Sequence, residues 1–397
     1  MLNLERAIDI EEFVERVRSL WRDASGRASS ARVELFAKAA IRVRVTRGLH
    51  KSSAEIDRAF ESGLAIRVIR ADRDHAGFAA ASGLSSAVVR WTVDTACTFD
   101  ARAPSSVLGS SNGIEAERWD LDAATDLPSD ELLSSGVIAR PDLEWVEAGT
   151  TIEVLIGTEG WLAARRRDRF WALASGQGAR LAAQRGFDRW EQLLDGLGDD
   201  TLLLSSSGPL DLGVLVLTPH AAAPVVAALV DEFHSSTSAG PIEIGGDWEV
   251  IDEPIRSDGL AGGSFDDAGF PAARRELARG GNWRGRLGGP GTLRRASFRE
   301  PPSETASNLV VPPGIDGRLP AAAAVARRCR VIRASSDLWV LELDVTDRST
   351  LGGFQRRWVR VRPHVLLTAC ASRLGRPTVT PTGPIVPALQ FEGLISS

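Results

Sequence analysis

Between residues 240 and 314 the chain reads GPIEIGGDWEVIDEPIRSDGLAGGSFDDAGFPAARRELARGGNWRGRLGGPGTLRRASFREPPSETASNLVVPPG. Glycine and proline interrupt it every few residues, so no helix of useful length can form, because each breaks or weakens a helical interior. The apolar runs left between them, such as Trp248 to Ile251, are long enough only for short strands joined by turns. Gly259, Gly262, Gly263 and Gly269 crowd around Asp266 and Asp267, which predicts tight turns with positive φ at some of these positions. Adjacent aspartates on a strand would point to opposite faces, so a shared carboxylate pair is not expected. A loop in which both aspartates bond their own backbone is. On that reading Asp267→Ala costs about 1 kcal/mol, the scale of one turn bond.

Upstream, residues 9–23 carry Ile10, Phe13, Val14, Val17, Leu20 and Trp21 on one helical stripe, with Asp9 and Glu12 at capping-box spacing. From residue 32 the period changes to two: residues 33–36 and 41–47 read as strands, followed by further strands at 64–69 and 77–80. Asp72 to Asp74 supplies the turn between the last two, and a helix follows over 84–99, capped by Ser82 or Ser85. Links this short favour antiparallel pairing with helices on one face. Residues 101–118 are rich in Ser, Gly, Ala and Pro and read as a linker. A short helix after Pro128, a hairpin of 150–156 with 160–164, and a helix over 187–197 come next. Arg165, Arg166, Arg167 and Arg169 read as a solvated strand face or one engaged in salt bridges, with nucleic-acid contact as the alternative. A strand at 212–217 leads into a helix from Thr218, which Pro224 either kinks or truly begins. Strands are expected at 338–345, 358–361 and 365–369, and the Pro-rich tail is expected to pack as an edge strand. The fold class is therefore α+β: an N-terminal half of antiparallel strands with packed helices, and a β-rich C-terminal half. A chain of 397 residues suggests more than one core, divided at 1–105, 106–200 and 201–397.

Two stretches resemble a known family. The run DEPIRSDGLAGGSFDDAGFPAARRELARGG, followed by RRASFREPPSETASNLVVPPG, is similar to the central segment of the TldD/PmbA family. That segment has a DDP-like turn, a GS-x-x-FDDEG-like loop, and a later Asn, here Asn308, ahead of an apolar run and Pro-Gly. ESGLAIRVIRADRDHAGFAAASGLSSAVVRWTVDTA resembles the first domain of the same family. The likeness covers most of residues 30–314 and fades after 330. It implies a cytoplasmic role in peptide proteolysis, as a partner in complexes that degrade unfolded peptides or mature ribosomal peptide products. Members were also named modulators of DNA gyrase. Gly262, Gly263, Asp266, Asp267, Gly269 and Asn308 become candidates for a loop beside the peptide path.

The chemistry of the family's peptidase members is missing. Those members carry HExxxH on a helix, two histidines holding zinc and the glutamate acting as base, with a later cysteine ligand. The matching stretch here is LTPHAAAPVVAALVDEFH, in which His220 and His234 are 14 residues apart. On one helix that is about 21 Å, too far for both to reach one zinc. Residues 349–363, where the cysteine would fall, contain none. Cys97, Cys329 and Cys370 are scattered and odd in number, which suits no disulfide framework. No G-x-S-x-G and no phosphate loop is present. The expectation is a PmbA (TldE)-like chain with no catalytic or metal residues of its own and no cofactor, zinc belonging to a TldD-like partner subunit. That partner makes a heterodimer, with a homodimer as the variant, and the ligand is a peptide. A standalone metallopeptidase with a rearranged site, or a peptide-binding protein without a protease partner, are the alternatives. Net charge −5 supplies no field for direct nucleic-acid binding, and no apolar run of spanning length suggests a membrane segment.

Overall fold

In the computed structural model, residues 9–28, 31–48, 53–70, 76–98, 117–122, 127–174, 180–187, 192–194, 211–236, 242–243, 248–285, 287, 289–295, 297–314, 323–335, 337–347, 353–380 and 383–394 are described. The first sheet is built on two long strands. β1 (Arg32–Arg47) runs unbroken through Ala37 to Ala40, where the residue pattern alone suggests a gap. Pairing on both edges overrides the weak strand preference of alanine there. It pairs antiparallel along its whole length with β2 (Ala54–Ile69), from Arg32 opposite Ile69 to Arg47 opposite Ala54. β3 (Ala76–Ser82) extends β2, and beyond residue 105 come β4 (Glu117–Leu121), β5 (Leu143–Ile156), β6 (Leu162–Ala174) and β7 (Arg180–Arg185). The order is β3-β2-β1-β5-β6-β4, with β7 also on β6, so strands from both sides of residue 105 share one sheet. The 101–118 linker and the Asp72 to Asp74 turn lie outside the described residues, except that Glu117 and Arg118 begin β4. The helix expected over 187–197 lies mostly outside them as well.

Three helices cover one face of this sheet. α1 (Ile10–Arg27) is capped by Asp9, whose Oδ1 accepts from the Glu11 and Glu12 N–H groups at 2.8 and 3.2 Å. It buries Phe13, Val14, Val17, Leu20 and Ala24 against the odd-numbered side chains of β1. α2 (Ser86–Thr98) packs beside it through Val89, Val93 and Ala96. α3 (Asp130–Ala139), capped by Ser129, sets Leu133 and Val137 on Val43, Val45, Val146 and Phe170. Alternation along the strands sends Phe36, Ala65, Leu155 and Ala163 to the opposite face, where a second small core includes Trp161, Phe265 and Phe298.

Those last two side chains belong to the turn-rich segment, which docks on the helix-free face. Its strands are short: β9 (Ile242–Glu243), β10 (Val250–Asp252), β11 (Arg275–Arg279), β12 (Asn282–Trp283), β13 (Leu293–Arg294), β14 (Ser303–Glu304) and β15 (Leu309–Val310), following β8 (Asp211–Leu217). The C-terminal strands are β16 (Ala323–Arg333), β17 (Trp339–Asp347), β18 (Gly353–Val361), β19 (Cys370–Val379) and β20 (Ile385–Glu392). Together they form an eleven-stranded sheet in the order β18-β17-β16-β8-β20-β15-β10-β11-β12-β9, with β19 on β20; β13 and β14 pair separately. α4 (Pro219–Ser236) starts at Pro219 and carries Pro224 inside it, burying Val225, Val226, Leu229 and Phe233 against this sheet.

Two sequence expectations are corrected here. The tail is not an edge strand: β20 sits inside the sheet between β8 and β15, buried from Ile385 to Phe391. Pro387 falls at a register shift opposite β19, where a missing N–H interrupts no regular pair. Residues 365–369 are not a strand either. Pro363 opens a short helix, α5 (Pro363–Thr368), which buries Leu366 and Leu367. An apolar run as short as Val365 to Leu367 fits either state, and the proline decides it.

Candidate functional site

The six candidate loop residues come together where the turn-rich segment meets β6, and each has a structural task. Asn308 is fully buried. Its Oδ1 accepts from the Ala261 N–H at 3.0 Å, and its Nδ2 donates to the carbonyls of Glu253 (3.2 Å) and Pro254 (3.4 Å). One side chain thus closes the 253–261 loop. Gly262 must be glycine for it to do so: a Cβ there would lie 1.9 Å from the Pro254 carbonyl oxygen and 2.2 Å from Asn308 Nδ2. Beside it, Asp252 Oδ1 accepts from Ser307 N–H (2.9 Å) and Oγ (2.6 Å), while burial pushes the Asp252 carboxyl above its ordinary range.

Gly263 lies against an ion pair between Arg167 of β6 and Asp120 of β4; a Cβ would come 2.5 Å from the guanidinium and 2.7 Å from the carboxylate. Arg167 also donates through Nε to the Gly262 carbonyl at 3.1 Å, and Asp120 accepts from Ser264 N–H. Burial alone would raise the Asp120 pKa, but its bonds to Arg167 and Ser264 outweigh that and hold it below its ordinary value.

Asp266 and Asp267 divide their work. Asp266 has no solvent exposure and accepts four backbone N–H bonds. Oδ1 takes Ala268 and Phe270, both at 2.9 Å, and Oδ2 takes Gly291 (2.7 Å) and Leu293 (3.3 Å). Burial still leaves its pKa raised, against the opposing effect of those four donors. It bonds its own turn, as expected, and also stitches that turn to a loop 25 residues onward. Asp267 does not bond locally. Its Oδ1 pairs with Arg165 of β6 at 2.5 Å and its Oδ2 accepts the Arg295 N–H. Arg165 also pairs with Glu153 of β5, and these two carboxylates raise its pKa against the opposing effect of burial. The Arg295 guanidinium stacks over Phe36 at 4.8 Å, and burial pushes it down to about 10. Gly269 has φ +87° and donates its N–H to the Asp266 carbonyl at 3.0 Å; a Cβ there would also run into Trp161 at 2.2 Å.

The arginine cluster is thus no solvated face. Arg165 and Arg167 are 8% and 3% exposed and clamp the segment to the first sheet, while Arg166, on the other face, pairs with Asp168. Sequence reasoning missed Asp120, Arg165 and Arg167 as partners because the bonds span 47 and 102 residues, and no local pattern encodes them. The one available signal is that arginines two apart on a strand share a face.

The other reactive groups stay apart. Among the described residues no three His, Cys, Asp or Glu side chains gather where they could hold a metal ion. His220 and His234 stand near the two ends of α4, and His234 Nε2 lies 3.4 Å from Glu304. Fourteen residues along one helix is about 21 Å, so these two do not fit a shared zinc. Burial pushes the Cys329 and Cys370 thiols up to about 12, far from a thiolate at neutral pH.

No protein-family model matches this chain, and no curated protein matches its sequence. Solved structures do match. TldE from Thermococcus kodakarensis aligns over 96% of this chain and 99% of its own, with TM-score 0.65 at 11% identity. A candidate modulator of a DNA gyrase from Thermotoga maritima covers 96% and 99%, at TM-score 0.60 and 13% identity. A candidate modulator of DNA gyrase from Bacteroides thetaiotaomicron covers 97% and 98%, at 0.62 and 13%. Identities this low speak for the fold. The chain has the fold of the TldD/PmbA proteins, the one that the resemblance at 61–96 and 252–314 implies.

Proposed function

We propose that this chain is a non-catalytic, TldE-like subunit that completes a peptide channel around the metal site of a TldD-like metallopeptidase, in the cytoplasm. The observation that carries the reading is a fold kept over 96% of the chain without the HExxxH motif or the cysteine of the peptidase members. The loop residues that most resemble the family serve architecture: Asn308 and Asp266 tie the turns of the segment to one another, and Asp267 pairs with Arg165 of β6. Such a buried framework is costly to maintain for a protein that no longer uses it, which favours a role in an assembly over a remnant. No helix is long and apolar enough to cross a membrane among the described residues.

Co-expression with an HExxxH-bearing homologue from the same genome, followed by size exclusion with light scattering, tests this. The expected result is a one-to-one complex that cleaves unfolded peptides when neither chain alone does so. A persistent monomer that leaves the homologue's activity unchanged would shift the reading to a stand-alone peptide-binding protein.

A further inference from the structure

The clamp uses two arginines of β6 and, among the described residues, leaves a third outside any ion pair. Arg169 follows Arg165 and Arg167 on the same face of β6. Among the described residues it has no ion pair and no hydrogen bond, and its Nε is buried without an acceptor. Every nearby carboxylate is engaged elsewhere. Glu153 pairs with Arg165, Asp120 with Arg167, Asp122 with Arg185 at 2.5 Å, and Glu147 with Arg44 at 2.7 Å. Burial pushes the Arg169 guanidinium below its ordinary value; Arg165 and Arg167 add to this, and the nearby Glu153 and Asp122 carboxylates oppose it.

The row of the sheet through Arg169 also holds a glycine and a second arginine. Opposite it on β5 is Gly149, and opposite Gly149 on β1 is Arg42, which is half exposed. A Cβ at 149 would sit 3.2 Å from the Arg42 side chain, 3.2 Å from the Ile41 carbonyl oxygen and 3.7 Å from Trp171, so glycine lets the Arg42 stem lie close over β5. Arg42 meets Glu147 only at 4.0 Å, leaving most of its donors toward solvent. A guanidinium Nε buried without an acceptor is destabilising, and planar guanidinium forks match carboxylates in geometry.

We propose that the strip formed by Arg169, Gly149 and Arg42 is a subsite for a peptide carboxylate, supplied by a C-terminus or by an acidic side chain. The proposal rests on the peptide-handling reading above, and it assigns that reading a specificity: the chain grips the anionic group of a peptide while chemistry happens elsewhere. Arg169 supplies the inner charge, Arg42 the outer fork, and Gly149 the close approach of the Arg42 side chain to β5.

The test uses the full chain and four probes: sodium acetate against sodium chloride at equal ionic strength, penta-alanine as free acid, penta-alanine amide, and the amide-terminated peptide Ala-Ala-Glu-Ala-Ala. Acetate raises the melting temperature of the native protein and leaves Arg169→Met unmoved. Free-acid or glutamate-bearing peptide binds about tenfold or more tightly than plain amide, the scale of a charge-assisted bond. Which of the two wins identifies the source of the carboxylate. Arg169→Lys keeps the preference, Gly149→Ala weakens it, and Arg169→Met melts no lower than the native protein because it removes an unpaired cation. An acetate effect that survives Arg169→Met, the absence of any acetate effect, or an Arg169→Met variant that melts several degrees lower overturns the subsite. Acetate binding without binding of any peptide keeps the anion site and sinks the peptide reading. Peptide cleavage by the assembled complex without carboxylate preference sinks the subsite alone.

Discussion

At Gly269 two separate constraints fall on one residue: a left-handed backbone and a ring 2.2 Å from where a Cβ would stand. Gly280 has the first constraint without the second, with φ +54° and open space around its Cβ position. Gly280→Ala should cost about 1 kcal/mol from the backbone alone, and Gly269→Ala about 3 kcal/mol or more, because Trp161 must move. Urea denaturation of both variants checks this, and equal losses would mean that Trp161 yields freely. At Asp267 the structure changes the magnitude expected from a turn bond. Removing it strips a nearly buried Arg165 of one of two carboxylate partners, so Asp267→Ala should cost about 2–4 kcal/mol, not about 1. A measured loss below 1 kcal/mol would say that Glu153 alone satisfies Arg165. Residues such as these mark where the sequence stops being legible. The glycine crowd around Asp266 announces a tight loop, and Asp9 announces a helix start, because both act within a few residues. Asp267 and Arg165 are 102 positions apart, and only the folded sheet brings them together.

Strand β6 shows the same division among elements. Its hairpin with β5 is visible in the alternation and in Gly157 to Gly160, whereas its burial under the turn-rich segment is not. β20 and α5 mislead for a related reason: a strand's place in a sheet and the choice of helix or strand for a short apolar run are settled by neighbours. The β4–β6 pair between Asp120 and Arg167 gives the elements a pH signature. The folded Asp120 pKa is depressed, so its contribution is present above the unfolded value of about 3.9 and is lost as pH falls through the lower folded value. Asp120→Asn should therefore be less stable than the native chain at pH 6, and the difference should shrink as the pH is lowered past 4 toward 3. Urea midpoints across that range measure it, and a constant difference would show that Asp120 acts by packing and not through its charge.

At the scale of the whole molecule, the TldE-like fold is present and the sequence lacks the HExxxH motif. The fold formed by both sheets and the turn-rich segment aligns with TldE from Thermococcus kodakarensis over 96% of this chain. His220 and His234 stand near opposite ends of α4, and burial pushes the Cys329 and Cys370 thiols up to about 12; on the proposed reading the metal belongs to another chain. The most direct measurement is metal content and peptidase activity of the one-to-one complex with an HExxxH-bearing homologue, prepared with this chain native and as a His220→Ala/His234→Ala double variant. The account predicts one metal per complex, no stoichiometric metal in this chain alone, and full activity in the double variant. Two metals per complex, or activity lost with His220 and His234, would contradict it.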